Sequence, residues 1–436
     1  MTDYMLGDGL LATLSAVAAG VFTTPTASSF LALASGWLLC RGRRTTSGMV
    51  LAARAEGVKH FSAYHRFFSC ARWSERALRL GLARLLVGAL CREGEIVLVG
   101  DDTVRAKTGR KIAGAAFWHN HCAAGRQQRS TVWGHTFVML GLVVEFWGKA
   151  YCVPVGLMLY RSQADCRACG WRHRSRSELL MEMVRDVLHC ASGRPALLLV
   201  DGQYACGDLL HSLPKGLTVI TRLRHDAALW APPRRPQHRG VGRPRTRNGR
   251  LPTPEQMAAD AARPWRRTEA GGELKSCQAL WYRINKRRIN KVVLVRAQNP
   301  LRPLVCLLCT DAGRQDEQIV SCYAARWSIE ITIRDAKQQA GLAQGQCRSA
   351  RAVQRQATFT ATLMGCLMGW YLSEGHRSDS LARSPWYRRK ARPSYQDMLA
   401  HARRCSWRQA IFAASASDPQ THDIPHTLLR LIATAA

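Results

Sequence analysis

The chain has 436 residues, with 63 Lys plus Arg against 30 Asp plus Glu and a formal net charge of +33. That length exceeds one small domain, and 47% hydrophobic residues supply enough apolar surface for real cores, which excludes a disordered tail protein. The cationic excess favours a polyanionic partner, nucleic acid before an anionic membrane surface.

Residues 1–92 read as short helices: "SSFLALASGWLLCRG" and "SERALRLGLARLLVGAL" carry apolar residues at helical spacing. "TTSGMVLAARAEGVKHFSAYHRFFS" has the size and the basic, aromatic character of a small helical DNA-binding module. The apolar run "FLALASGWLLC" falls short of the ~20 residues needed to span a bilayer, so no membrane partner is expected. "MTDYMLGDGL" lacks the basic start of a secretory signal. The 16 cysteines are scattered and read as reduced, mostly buried thiols, as in a cytoplasmic protein.

From residue 93 the texture becomes α/β. "EIVLVGDDT" is an apolar strand ending in Asp101 and Asp102. "GHTFVMLGLVVEFW" and "KAYCVPVGLMLY" are β-branched and aromatic strands with a Gly-Lys turn between them. "SRSELLMEMVRDVLHCA" is an amphipathic helix, and "PALLLVDGQY" a buried strand ending in Asp201. A short helix and the strand "GLTVITRLR" follow. Three strands, helix, strand, helix, strand implies a mixed sheet with helices against it.

Residues 231–250 break the pattern with seven Arg, four Pro, three Gly and no acid, a loop or arm without its own core. Its "GVGRPRTR" core, with Arg243 and Arg245, resembles an AT-hook lying in a narrow minor groove. Two further strands, "SCQALWYRINKRRINKVVLVRAQNP" with a basic turn and "LRPLVCLLCTD", precede the stretch "RWSIEITIRDAKQ". As a helix, this stretch places Arg326, Glu330 and Lys337 within roughly 60° of Tyr323, with Arg334 beside them and an apolar face next to them. The bland interpretation is a solvated face of spaced ion pairs. Two other motifs are weak. Cys166, Cys169 and His173 lack a fourth zinc ligand at matching spacing, and His119-Asn120-His121 lacks the context of a nuclease motif.

Three carboxylates at strand ends and on a packed helix suit hard divalent cations, which take oxygen ligands. The pattern resembles the DDE transposases of bacterial insertion sequences, carried by "DDT", "LLLVDGQY" and Tyr323-x2-Arg326-x3-Glu330-x6-Lys337 in order, and spanning about residues 95–345. The resemblance implies a ribonuclease-H-like mixed sheet flanked by helices. Asp201 and Glu330 lie 129 residues apart, room for the β-rich insertion domain of that family. The expected organisation is a helical DNA-binding region (1–92), catalytic core (93–223), β-rich insertion with the basic arm (224–302), catalytic core (303–372) and a helical C-terminal region (373–436). Implied site residues are Asp101, Asp201 and Glu330 as ligands of two Mg²⁺, for which Mn²⁺ can substitute. Asp-x-Thr spacing favours Asp101 with Thr103, and Asp102 is the alternative. Tyr323, Arg326 and Lys337 would grip DNA beside a flipped base, with Trp327 or Trp281 as candidates to hold it. Arg334, Arg243 and Arg245 are further DNA contacts. The implied activity is cut-and-paste transposition through a DNA hairpin, by a homodimer acting on double-stranded transposon ends and target DNA in the bacterial nucleoid. The alternatives are a ribonuclease-H-fold nuclease that cleaves without joining and a domesticated DNA-binding protein.

Overall fold

The computed structural model describes residues 6–119, 131–233, 247–268, 271–285, 288–297, 303–342, 344–379, 386 and 389–417, the last seven as backbone only. Five helices open the chain: α1 (Asp8–Ala18), α2 (Thr24–Leu39), α3 (Thr46–Ala52), α4 (Phe61–Ser69) and α5 (Glu75–Leu90). Four strands follow: β1 (Ile96–Ala106), β2 (Ala116–His119), β3 (Thr131–Phe146) and β4 (Lys149–Tyr160). Then come α6 (Gln163–Ala168), α7 (Arg176–Cys190), β5 (Ala196–Val200), α8 (Gly207–Leu210) and β6 (Leu217–Arg222). The next stretch holds α9 (Pro254–Ala259), β7 (Arg266–Arg267), β8 (Glu273–Leu280), α10 (Tyr282–Asn285) and β9 (Ile289–Arg296). The chain closes with β10 (Val305–Cys309), α11 (Asp316–Ala324), α12 (Trp327–Gln338), α13 (Ala350–Ser373) and α14 (Tyr395–Ser417).

All ten strands form one sheet in the order β2-β3-β1-β5-β6-β10-β9-β8-β7, with β4 on the outer side of β3. Its centre, β4-β3-β1-β5-β6, has three antiparallel strands followed by two parallel to β1. That is the strand order of a ribonuclease-H-like fold. The β3–β4 hairpin turns on Trp147 (φ 51°) and Gly148 (φ 63°), the two left-handed residues that a tight hairpin needs to match strand twist. The expected turn thus sits one residue earlier than Gly-Lys.

A correction concerns β1. Sequence pattern ends this strand at the aspartates, yet it runs on to Ala106 because β3 pairs it throughout, from Leu98↔Leu142 to Ala106↔Gly134. Only its parallel pairing stops, at Gly100↔Val200. Gly100 itself is dictated by packing: a Cβ there would sit 2.6 Å from the Leu180 side chain of α7.

Helix α13 is buried along nearly its whole length, between β4 on one side and α1, α4 and α5 on the other. Such a helix must be apolar all round or satisfy its own polar groups. Thr358, Thr360 and Thr362 do so by donating to the carbonyls of Gln354, Gln356 and Thr358, at 3.2, 3.0 and 2.9 Å. The N-terminal helices therefore share one core with the sheet rather than forming a body with its own. The aromatics of α4 are used in that core: Phe67 stacks on Trp73 at 5.2 Å, and Phe68 meets Phe359 of α13 edge-on. Two buried charge networks fasten the layers. Arg79 of α5 reaches Asp186 of α7 at 2.6 and 2.8 Å, and Arg355 of α13 pairs with Glu75 at 3.2 Å.

A second small core, with Leu223, Leu229, Met257, Val292, Leu294 and Leu308 among its members, lies where the insertion joins β10. Among the described residues, no helix is long and apolar enough to cross a membrane.

At the C-terminal side, Asp379 takes a hydrogen bond from Tyr371 of α13 (2.8 Å) and pairs with His401 (3.1 Å) and Arg404 (2.7 Å) of α14. Burial opposes charge on His401, but its bonds to Asp379 and Cys405 outweigh that and hold its pKa up at about 9. A histidine raised in this way adds stability that is whole below its unfolded value near 6.5 and disappears as pH climbs through about 9. Melting temperature should therefore fall between pH 6.5 and 9 by more in the parent than in Asp379→Asn. That variant should lose about 3 kcal/mol at neutral pH, because it leaves a buried cation without its partner. Parallel melting curves for the two proteins across that range would refute the assignment.

Candidate active site

The site grows from the parallel pairing of β1 with β5. Gly100 and Val200 are paired neighbours, so the next residues, Asp101 within β1 and Asp201 just past the end of β5, lie side by side. Adjacent strands lie ~4.8 Å apart. Asp201 begins the turn Gly202–Tyr204 without capping it through its side chain. Its backbone carbonyl is held by the Thr221 hydroxyl at 3.0 Å.

Consecutive strand residues face opposite ways, and the two aspartates of β1 meet different company. Asp102 faces α7 and the Gly202–Tyr204 turn: Gln203 donates to it, the Tyr204 hydroxyl lies at 3.4 Å and Arg176 at 3.4 Å. Asp101 faces α12, where Arg326 approaches at 3.6 Å. Burial pushes Asp101 up to about 7, and the charges of Asp102 and Asp201 add to the shift; the Asp102 N–H bond and Arg326 offset only part of it. Asp101 is thus a carboxyl that lacks sufficient positive charge.

Helix α12 supplies Glu330. Ile329, Ile333 and Ala336 are buried, and the Thr332 hydroxyl donates to the Cys152 carbonyl of β4 at 2.8 Å, fixing which face turns to the sheet. The Arg326 guanidinium lies between two of the acids, bonding Glu330 at 2.6 Å while approaching Asp101.

The expected signature is not carried by a single helix. Tyr323 belongs to α11, Ala325 and Arg326 form a turn between the helices, and Arg326 stands at the N-cap position of α12. The Arg326 guanidinium lies 5.8 Å from the Tyr323 ring. The Tyr323 hydroxyl is buried with no hydrogen-bond partner among the described residues. Burial raises its pKa, and the nearby charges of Asp201 and Asp101 place it beside the carboxylates.

Lys337 lies two turns on from Glu330, ~10 Å along the axis on nearly the same face. Arg334 is exposed and pairs with Asp335 at 3.1 Å, which sets it apart from the group. Trp327, in the first turn of α12, is 60% exposed, whereas Trp281 is packed between the two cores. Arg243, Arg245, Asn120 and His121 lie outside the described residues. Sequence reasoning passed over Arg176, Gln203 and Tyr204. The last two stand in the quoted "DGQY", and their meaning required knowing that the turn folds back on Asp102.

Among the described residues, no three His, Cys, Asp or Glu groups converge closely enough to hold a metal ion together. For Cys166, Cys169 and His173 this fits their surroundings: Cys166 is buried, Cys169 is exposed, and His173 contacts the Tyr160 hydroxyl at 3.3 Å. The same holds for Asp101, Asp201 and Glu330; Arg326 lies between two of them. Carboxylates such as Asp101, Asp201 and Glu330 are the oxygen donors that a hard divalent ion takes.

Residues 19–286 match the DDE superfamily endonuclease family, and the chain belongs to that family. Endonucleases of this kind use divalent metal ions. Among solved structures, the chain is similar to a piggyBac transposase in a synaptic complex with hairpin DNA, at 11% identity and a TM-score of 0.40 over 99% of this chain and 81% of that one. No curated protein matches.

If Arg326 substitutes for a cation, Arg326→Gln should lower the melting temperature in metal-free buffer, since it exposes the carboxylates to one another. Added Mn²⁺ should then raise the melting temperature of the variant more than that of the parent, by ligand linkage. An equal response of both proteins to Mn²⁺ would show that the acids do not share an ion.

Proposed function

We propose that the chain is a DNA transposase of the cut-and-paste type, of the bacterial insertion-sequence group marked by the Tyr-Arg-Glu-Lys signature. The observation that carries this reading is the bridging of Asp101 and Glu330 by Arg326, with Asp201 leaving the neighbouring strand beside Asp101. Membership of the DDE endonuclease family supports it.

In this reading Asp101, Asp201 and Glu330 hold two Mg²⁺, and Mn²⁺ can substitute. Two such ions would activate the attacking oxygen and stabilise the leaving oxygen of an in-line displacement at phosphorus. The chain's own residues select and hold the DNA. Arg326 exchanges its carboxylates for a phosphate, a trade of one anion for another that keeps its buried charge paired. Tyr323 offers a buried hydroxyl in need of a partner, and Lys337 extends the cationic face along α12. Trp327, exposed one turn before Glu330, is placed to stack on an unpaired base. Asp102 is a positioning residue that ties β1 to Arg176, Gln203 and Tyr204. The reaction is hydrolytic nicking, attack of the freed 3′-hydroxyl on the opposite strand to give a hairpin, hairpin opening and joining to target DNA. Two ends must be processed together, so the working form is a homodimer on double-stranded DNA.

Glu330→Gln and Asp201→Asn should each abolish nicking of the DNA that flanks the gene, with duplex binding kept within about threefold, because the ions are lost and the phosphate contacts are not. Asp101→Asn should be as severe, and Asp102→Asn milder. Nicking by Glu330→Gln at the parent rate would remove the triad. Nicks without hairpin or joined product in the parent protein would leave a nuclease in place of a transposase.

A further inference from the structure

The opening of β1 toward its far end reveals a second cationic site. A cleft of about 910 Å³ is lined by Arg43, Arg105, Lys107, Arg110, Lys111 and Arg348, with no acid among its lining residues. Three separate chain segments bring these residues together: the connection from α2 to α3, the end of β1 with the loop after it, and the connection from α12 to α13. Arg79, Arg326 and Arg355, by contrast, have carboxylate partners. Among the described residues, no carboxylate pairs with Arg43, Arg105, Arg110, Lys111 or Arg348.

The loop that carries Arg110 and Lys111 is fixed. The Lys107 N–H donates to the Trp133 carbonyl (2.9 Å), and the Trp133 indole donates to the Gly109 carbonyl (2.9 Å). The Ala113 N–H donates to the Arg348 carbonyl (3.0 Å), and the Ala113 carbonyl meets the buried His135 ring at 3.0 Å. Lys107 itself donates to the Gly345 carbonyl at 3.3 Å, closing the floor between the loop and the α12–α13 connection. Burial lowers the Lys107 pKa, and the nearby Arg105 and Arg43 charges lower it further. Holding like charges together on a rigid frame is unfavourable unless an anion joins them.

We propose that this cleft binds the phosphate backbone of duplex DNA, as a contact separate from the grip at Arg326 and Lys337. Its position follows from β1. Arg105 lies four residues beyond Asp101, about 13 Å along an extended strand. At one phosphate per ~3.4 Å of each strand, that corresponds to roughly four nucleotides. Resting on the proposed cleavage at Asp101, the inference is that the cleft anchors the substrate about four nucleotides from the scissile phosphate and so fixes where the cut falls. The ligand is the phosphodiester chain, and no base-specific reading is part of the assignment.

The test uses the full chain and a linear duplex of arbitrary sequence, with binding followed by fluorescence anisotropy over a range of salt. The triple variant Arg110→Gln, Lys111→Gln, Arg348→Gln should bind more weakly. Its log–log salt slope should drop by roughly 0.9 for each phosphate contact removed. A control that neutralises three exposed arginines elsewhere, Arg167→Gln, Arg185→Gln, Arg377→Gln, removes the same net charge and should leave the slope near the parent's. An unchanged slope in the cleft variant, or an equal change in the control, overturns the proposal. Unchanged melting temperatures in both triple variants exclude misfolding as the cause. Glu330→Gln should retain the parent slope. If it also retains nicking, the catalytic reading falls while the cleft stands on its binding data.

Discussion

The parallel pairing of β1 with β5 is the constraint on which the rest depends. Parallel strands need a long crossover, here α7, and that helix packs tightly against β1 because residue 100 has no side chain. Once Gly100 and Val200 are registered, Asp101 and Asp201 emerge together with no freedom to separate. Burial is the main cause of the upward shift of Asp101, and the charges of Asp102 and Asp201 add to it. The start of α12 brings an arginine that bonds Glu330 and approaches Asp101 at once. Carboxylates gathered beside a cation in this way suit a site that takes divalent ions.

Charge is handled differently inside and at the surface. In the interior, Arg79, Arg355 and Arg403 are buried but bonded, to Asp186, to Glu75 and the carbonyls of Ala71 and Trp73, and to the carbonyl of Leu38. Each fastens one helix layer to another, and each would be destabilising without its partner. The surplus that makes the chain so basic is left for the surface, where it gathers at clefts instead of spreading evenly. The cleft beside the end of β1 is the clearest case, since its frame is rigid and no acid is among its lining residues.

The insertion between β6 and β10 is joined to the catalytic sheet by continuous hydrogen bonding. β10 pairs with β6 on one side and β9 on the other, so the second core is an extension of the first and inherits its orientation. Its aromatic residues are already engaged: Arg247 lies 4.9 Å from the Trp230 ring and 4.4 Å from the Tyr282 ring, at the point where the chain returns from residues 234–246.

Local pattern determined much of this protein. The buried strands, the amphipathic α7, the mixed sheet and the four signature residues were legible because hydrophobic periodicity and short fixed spacings are properties of neighbouring residues. The placement of Tyr323 and Arg326 near one another survived a break between α11 and α12 that the pattern did not show. Contacts between distant segments were not legible. Nothing near Asp101 or Asp102 in sequence says which faces α12 and which faces Tyr204, since that depends on α7 and α12 packing on opposite sides of β1. Nor does local sequence reveal that β1 continues past its aspartates, which requires β3 as a partner, or that the aromatic residues of α4 are committed to a core shared with α13. The cleft of Arg43, Arg105, Lys107, Arg110, Lys111 and Arg348 draws on segments separated by up to about three hundred residues. Spacing along the chain picked out the candidate residues; tertiary packing alone decided which way each one faces and what it meets.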